Sequence, residues 1–253
     1  MAPIPDDLRG ALNAAAGSPR LLVATDFDGT ISPIVAHPPD ARPIPSAIAA
    51  LAELADSYGT ISALISGRAL ADLEVLSGAP AGVKLVGSHG SEFEEGMFEG
   101  VDEAARTRLR GLIEALREVS SRYPGTTVET KPISVAFHVR NAGPESAQQA
   151  LEEASKAAED FDVHLTEGKA VREFAVIRTD KGRALDLMRR NTNATSVVYF
   201  GDDVTDESAF ARLVGGSDVG VKVGPGDTAA AFRVESPEDV AEALQFISAA
   251  RQH

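Results

Sequence analysis

Short apolar runs that do not alternate with polar residues recur along the first part of the chain. They are Leu21–Thr25, Thr60–Ile65 and Val83–Val86. Such a run reads as a strand covered on both faces, and so as part of a parallel sheet. Between the first two, Ile48, Leu51, Leu54 and Ala55 recur at helical spacing. Ser46 is the expected N-cap of that helix and Gly59 its stop. A short helix to about Leu76 precedes the third run. Strand, helix, strand, helix, strand predicts an α/β fold with a doubly wound parallel sheet. Each run opens into a polar turn: Asp26-Phe27-Asp28-Gly29-Thr30, Ser66-Gly67-Arg68 and Gly87-Ser88-His89-Gly90.

The pattern changes past Gly96. Glu103–Arg122 carries Leu109, Leu112, Ile113, Leu116 and Val119 at helical spacing. Strand patterns follow over Thr126–Thr130 and Ile133–Val139, joined across Lys131-Pro132. A helix over Glu145–Ala158 comes next, then strands over Phe161–Leu165 and Ala170–Val176. This αββαββ order predicts an α+β layer with an antiparallel sheet. The first grammar then resumes. Asp180 is an N-cap candidate for a helix beginning at Lys181, and Ser196–Phe200 is a buried strand ending in Gly201-Asp202-Asp203-Val204-Thr205-Asp206-Glu207. A helix to Val214 is expected to stop at Gly215-Gly216. Val219–Val223 reads as a strand, and Ser236-Pro237-Glu238-Asp239 as the cap of a last helix. The resumption makes residues 96–177 an insert in a core formed by 1–95 and 178–253.

Charge narrows the partners. The chain of 253 residues has 38 acidic and 24 basic side chains, a formal net charge of -14. Nucleic acid and anionic membranes call for clustered Lys and Arg, so neither is expected as a partner. Cysteine is absent, which removes thiolate chemistry and Cys-ligated zinc. The N-terminus shows no signal-peptide pattern, and no stretch approaches the ~20 apolar residues of a membrane span. A cytosolic monomer acting on a small molecule is expected.

The polar turns pose one chemical problem. In open α/β sheets ligands sit outside the carboxyl ends of the strands, where Asp26, Asp28 and Asp202 are placed. Carboxylates from two strand ends make an oxygen-rich site suited to Mg²⁺. Ser66 and Lys181 could hold phosphate oxygens, and phosphoryl transfer needs little beyond positioning and charge neutralisation. Asp26 can act as a nucleophile and Asp28 as general acid and base. Taken singly, each cluster has a plainer account. Asp28 can belong to an Asx turn, Ser66 can cap a helix, His89 can be a loop histidine, and Asp206 and Glu207 can be a solvated helix start. Ser134, Ala136 and His138 can simply form a polar sheet face.

In order and surroundings these motifs resemble the haloacid dehalogenase-type phosphatase superfamily and, within it, the trehalose-6-phosphate phosphatase family. Asp26-Phe27-Asp28-Gly29-Thr30, Ile65-Ser66-Gly67-Arg68, Lys181 and Gly201-Asp202-Asp203 match the four superfamily motifs. Gly201–Glu207, Ser88–Glu92, the set Glu129, Lys131, His138 and Arg140, and Glu167-Gly168-Lys169 with Glu173 are similar to family signatures. Val139 stands where the family often has an aromatic residue. The resemblance implies Mg²⁺-dependent hydrolysis of a sugar phosphate through an aspartyl-phosphate. Asp26, Asp28 (by its carbonyl) and Asp202 would hold the metal, with Asp203 and Asp206 behind them. Ser66, Gly67, Arg68 and His89 would bind substrate from the core. An inserted cap would close over the core and read the sugar through Lys131, His138, Arg140 and Glu167. Sucrose phosphate or a glycosyl-glycerate phosphate as substrate, or a non-catalytic sugar-phosphate binder, are the competing readings.

Overall fold

The computed structural model describes residues 4–93, 103–131, 133–168, 170–177 and 179–252. It divides into two compact units, Met1–Met97 with Thr179–His253, and Phe98–Arg178. In chain order the first unit contains α1 (Asp6–Ala16), β1 (Leu21–Thr25), α2 (Pro45–Asp56), β2 (Thr60–Ile65), α3 (Leu70–Ser77), β3 (Lys84–Gly87) and β4 (Glu92–Phe93). The second unit follows with α4 (Glu103–Arg122), β5 (Thr127–Thr130), β6 (Ser134–His138), α5 (Pro144–Ala158), β7 (His164–Gly168) and β8 (Val171–Ala175). The first is then completed by α6 (Lys181–Thr192), β9 (Ser196–Gly201), α7 (Glu207–Phe210), β10 (Val219–Val223), β11 (Phe232–Val234) and α8 (Pro237–Arg251).

The first unit's sheet has the order β11-β10-β9-β1-β2-β3-β4. All neighbours are parallel except β3 and β4. The winding reverses at β1, whose Thr25 pairs with Leu64 on one side and Phe200 on the other. That reversal is the switch point where an α/β sheet binds its ligand. Alternation along β1 sends Leu21 and Val23 into a core shared with Leu8 and Leu12 of α1, Leu51 and Leu54 of α2, and Leu244 and Ile247 of α8. Leu22, Ala24 and then Asp26 face the opposite side, where α6 lies against β1 and β2. The same parity on β9 puts Val198 and Phe200 in that core and Tyr199 on the side of Asp26. The side of Leu21 and Val23 carries the main apolar core, and the other ends in charged groups.

The second unit is an antiparallel sheet, β5-β6-β8-β7, with α4 and α5 on one face. Leu112, Leu116 and Val119 of α4 and Ala150 and Ala154 of α5 pack on Val135, Phe137, Val139 and Phe174. Val139 is 3% exposed in this core, so a larger ring there would have to displace neighbours.

Several local expectations need correction. α2 begins at Pro45 with Ile44 at the cap, because proline at the first helical position outweighs Ser46 as a cap. The helix expected to run to Val214 is a short turn followed by Glu207–Phe210. The strand expected at Phe161–Leu165 is His164–Gly168, while Phe161 and Val163 turn into the helical core. α1, β4 and β11 were not expected from the pattern. Asp180 and Ser236 do cap α6 and α8, each accepting from a backbone N–H of the first turn.

A buried anchor ties α6 to β9. The Asp218 carboxylate accepts two bonds from Arg189, at 2.7 and 2.9 Å, and the N–H groups of Val197 and Val214 at 3.0 and 2.7 Å. Asp218→Ala is expected to cost about 3–5 kcal/mol, as for one partner removed from a buried ion pair. The midpoint of urea unfolding checks this.

Candidate active site

The site is assembled at the carboxyl ends of β1, β2 and β9. Asp26 continues β1, donating its N–H to the Phe200 carbonyl at 2.9 Å. Its carboxylate is buried and meets the Lys181 ammonium at 2.8 Å. Lys181 opens α6, is itself buried, and donates to Asp206 at 2.8 Å as well. Asp206 is fully enclosed, and both its oxygens are used. One takes Lys181 and the Tyr199 hydroxyl (2.6 Å); the other takes the N–H groups of Asp202 (3.1 Å) and Asp203 (3.0 Å). The carboxylate packs directly on Gly201, where a Cβ would come within 2.3 Å of its carbon. Asp206 therefore organises the loop and is poorly placed to ligate anything else.

Asp202 is half-buried. Thr30 donates to one of its oxygens at 3.2 Å. Gly29 has φ of +80°, and a Cβ there would meet the other oxygen at 2.0 Å. Only glycine allows both the turn and the approach of Asp202. Oxygen atoms of Asp26, Asp202 and Asp206 all lie within 4.8 Å of one another. The donors are hard carboxylate oxygens, as Mg²⁺ prefers, and with Asp206 saturated by hydrogen bonds the two facing carboxylates are Asp26 and Asp202. The residues fit such a cation.

The electrostatics follow from this crowding. Burial pushes the Asp26 carboxyl up to about 8, with Asp206 adding to the rise and Lys181 opposing it. Asp202 is raised by burial and by Asp206, and hydrogen bonds with Asp26 and Thr30 pull it back. Burial alone would lower Lys181, but Asp26 and Asp206 outweigh it and the ammonium is held charged. Tyr199 is raised well above its ordinary value by burial and then by Asp206.

The remaining core candidates line the same cleft of about 610 Å³, with Asp26, Asp28, Ser66, Gly67, Arg68, His89, Lys181, Asp202 and Asp203 on its wall. Ser66 is buried and accepts the Arg68 N–H at 3.2 Å. The loop bearing His89 is stitched to the Ser66 loop by two backbone bonds, Ser88 N–H to the Arg68 carbonyl and His89 N–H to the Ser66 carbonyl. Glu92 holds it further, accepting the Ser88 hydroxyl and the Leu70 N–H. Asp203 is exposed and caps Val204. One pairing was not legible in the motifs. Arg68 grips both oxygens of Asp28, each at 2.6 Å, with its guanidinium 5.5 Å from the Phe27 ring centroid. The guanidinium is turned onto a carboxylate instead of being poised for a phosphate alone.

The model of the trehalose-phosphatase family matches residues 24–238, which span every one of these groups. The chain belongs to the trehalose-phosphatase family. A trehalose-phosphate phosphatase of Mycobacterium avium is 36% identical over 263 residues, covering 96% of this chain and 66% of that protein. One of Mycobacterium marinum is 38% identical over 261 residues, covering 96% and 65%. The chain thus spans about 65% of the length of these curated relatives. The solved trehalose-6-phosphate phosphatase of Aspergillus fumigatus is 26% identical with a TM-score of 0.63, covering 98% of this chain and 99% of that one.

In the trehalose-phosphatase insert the register sorts the sugar-reading candidates. Glu129 pairs with Ala136, and Ala136 with Glu173, on the sheet face not covered by helices. His138 meets Glu129 at 2.7 Å there, Lys131 meets Glu173 at 3.4 Å, and Ser134 donates to Glu173 at 2.6 Å. Glu167 does not join them. It pairs with Arg172, whose guanidinium reaches Ser155 and the Leu151 carbonyl of α5, and Arg172 holds it at 2.9 Å on the helix-covered face. Arg140 is exposed in the loop before α5, beside Ala142, Pro144 and Gln148. Lys169 lies outside the described residues. Glu173 thus shares the face of His138 and Lys131, and Glu167 lies on the other.

The raised Asp26 carboxyl has a measurable consequence. Its stabilising contribution is complete below the ordinary 3.8 and is lost as pH climbs through about 8. In chelator, the melting temperature is expected to fall between about pH 4 and pH 8, and to fall less in Asp26→Asn. Equal slopes in thermal melts of the two proteins would show that another group titrates.

Proposed function

We propose that the chain hydrolyses trehalose 6-phosphate to trehalose and phosphate, with Asp26 as nucleophile. The observation that carries this reading is the buried Asp26 carboxylate at the switch point, 2.8 Å from the Lys181 ammonium and facing Asp202. An Asp26 oxygen forms a bond to phosphorus as the phosphorus–oxygen bond to the sugar breaks. Asp28 gives its proton to the departing alkoxide, then takes one from the water that releases phosphate from the aspartyl-phosphate. Both Asp28 oxygens are held by Arg68, so proton transfer requires that fork to open. An ammonium has three N–H donors. Lys181 spends two on Asp26 and Asp206, which leaves the third for a phosphate oxygen. Ser66 lines the cleft beside it and offers its hydroxyl. Asp26, Asp202 and the Asp28 carbonyl would hold Mg²⁺, which supplies charge neutralisation between Asp26 and the phosphate.

These core groups meet only phosphate and metal, so we assign sugar discrimination to the face of the insert's sheet that its helices leave uncovered. Lys131, His138 and Glu173 give it paired donors and acceptors that can be exchanged for sugar hydroxyls. A wrong sugar leaves several of them without partners.

Phosphate release from trehalose 6-phosphate is expected to require Mg²⁺ and to stop reversibly in EDTA; full activity in chelator would refute the metal assignment. Asp26→Asn is expected to abolish turnover in a folded protein, and retention of about a tenth of wild-type activity would exclude Asp26 as nucleophile. Glu173→Ala is expected to lower kcat/KM for trehalose 6-phosphate by roughly 5- to 150-fold, the value of about 1–3 kcal/mol of lost pairing, and to spare p-nitrophenyl phosphate. Equal losses on both substrates would remove Glu173 from sugar recognition.

A further inference from the structure

One buried cation has no part in the chemistry above. Lys222 interrupts the apolar strand β10, whose Val219, Val221 and Val223 face the main core. It is 4% exposed. Its ammonium donates to the backbone carbonyls of Asp202 and, at 2.8 Å, of Val223. Both are peptide oxygens; neither partner is a carboxylate. Enclosing an ammonium against peptide oxygens is costly, and an aliphatic residue would continue the strand at less expense. The position is offset by what lies next to it: Lys222 pairs in register with Gly201, directly before Asp202.

The Asp202 peptide is consequently fixed at both ends. Its N–H is bound to Asp206 at 3.1 Å and its carbonyl to Lys222. Its side chain is steadied by Thr30. With the peptide pinned, the remaining Asp202 oxygen is aimed over Gly29 toward Asp26.

We propose that Lys222 is a positioning residue, holding the Asp202 peptide so that the Asp202 carboxylate is preorganised for a divalent cation. This rests on the Mg²⁺ reading above and adds to it a residue outside the recognised motifs. Hydrogen-bond partners behind metal ligands commonly change metal affinity by 10- to 100-fold when removed.

The test uses the full chain and Mg²⁺ alone. Isothermal titration calorimetry without substrate gives the Mg²⁺ dissociation constant of wild type, Lys222→Met and Lys222→Gln. Lys222→Met is expected to weaken Mg²⁺ binding about tenfold or more, with Lys222→Gln, which keeps a donor, in between. At saturating Mg²⁺ the KM for p-nitrophenyl phosphate is expected to stay within about twofold, since phosphate is held by other groups. A folded Lys222→Met protein whose Mg²⁺ constant matches wild type would overturn the proposal. Failure of both variants to fold would overturn it too, because a positioning role leaves the fold standing. Wild-type protein that binds no Mg²⁺ would sink the metal reading itself, which is a separate outcome.

Discussion

The arrangement depends on one buried ammonium held between two carboxylates. Lys181 joins Asp26 at the end of β1 to Asp206 after β9, at 2.8 Å each. The ammonium compensates both acids at this depth, where an unpaired buried charge is among the most expensive things a fold can carry. Asp206 in turn collects Tyr199 and two backbone N–H groups, so the Lys181 contact is transmitted to the whole Asp202–Asp206 loop. Replacing one member would leave the others charged and unmatched, and their effects would be strongly non-additive.

How far the sequence carried the reading depends on how local each feature is. Asp26, Ser66, Lys181 and Asp202 were legible because each sits where a periodic element starts or stops, and an apolar run pointing into a polar turn needs no partner to be seen. Other features depend on pairing between distant segments. Whether Glu167 or Glu173 shares a face with His138 is decided by register, and one residue of slip exchanges the two faces. The Arg68 grip on Asp28 and the Lys222 bond to the Asp202 carbonyl join separate strand ends, and a single lysine in Val219–Val223 gives only a hint. α1 escaped notice because Leu8, Leu12, Ala15 and Ala16 offer little apolar contrast. β4 and β11 hold two and three residues, too few for any period to show.

The two sheets divide chemical labour in a way that their hydrogen bonding explains. The parallel sheet is buried on both faces and offers function only at its strand ends, where alternation no longer has to satisfy a core. The antiparallel sheet of the insert has one face that its helices leave uncovered, so polar side chains can stand along the strands themselves. A site for one small, highly charged group suits the first. A surface contacting several neutral hydroxyls suits the second.

The position of β1 in its sheet has a consequence for how the chain is made. β1 precedes β9 in the chain by the whole of the insert, yet it pairs with β9 as closely as with β2. The bond between Thr30 and Asp202 closes a separation of 172 residues. Contacts of that span are paid for in loop entropy before they return anything, and they form late. An unfinished chain can therefore build β1, β2 and β3 and display Asp26, Asp28 and Ser66 while lacking Lys181 and Asp202. Such partial chains carry Asp26 without Lys181 and Asp202, and the cluster is complete only when α6 and β9 have joined the sheet.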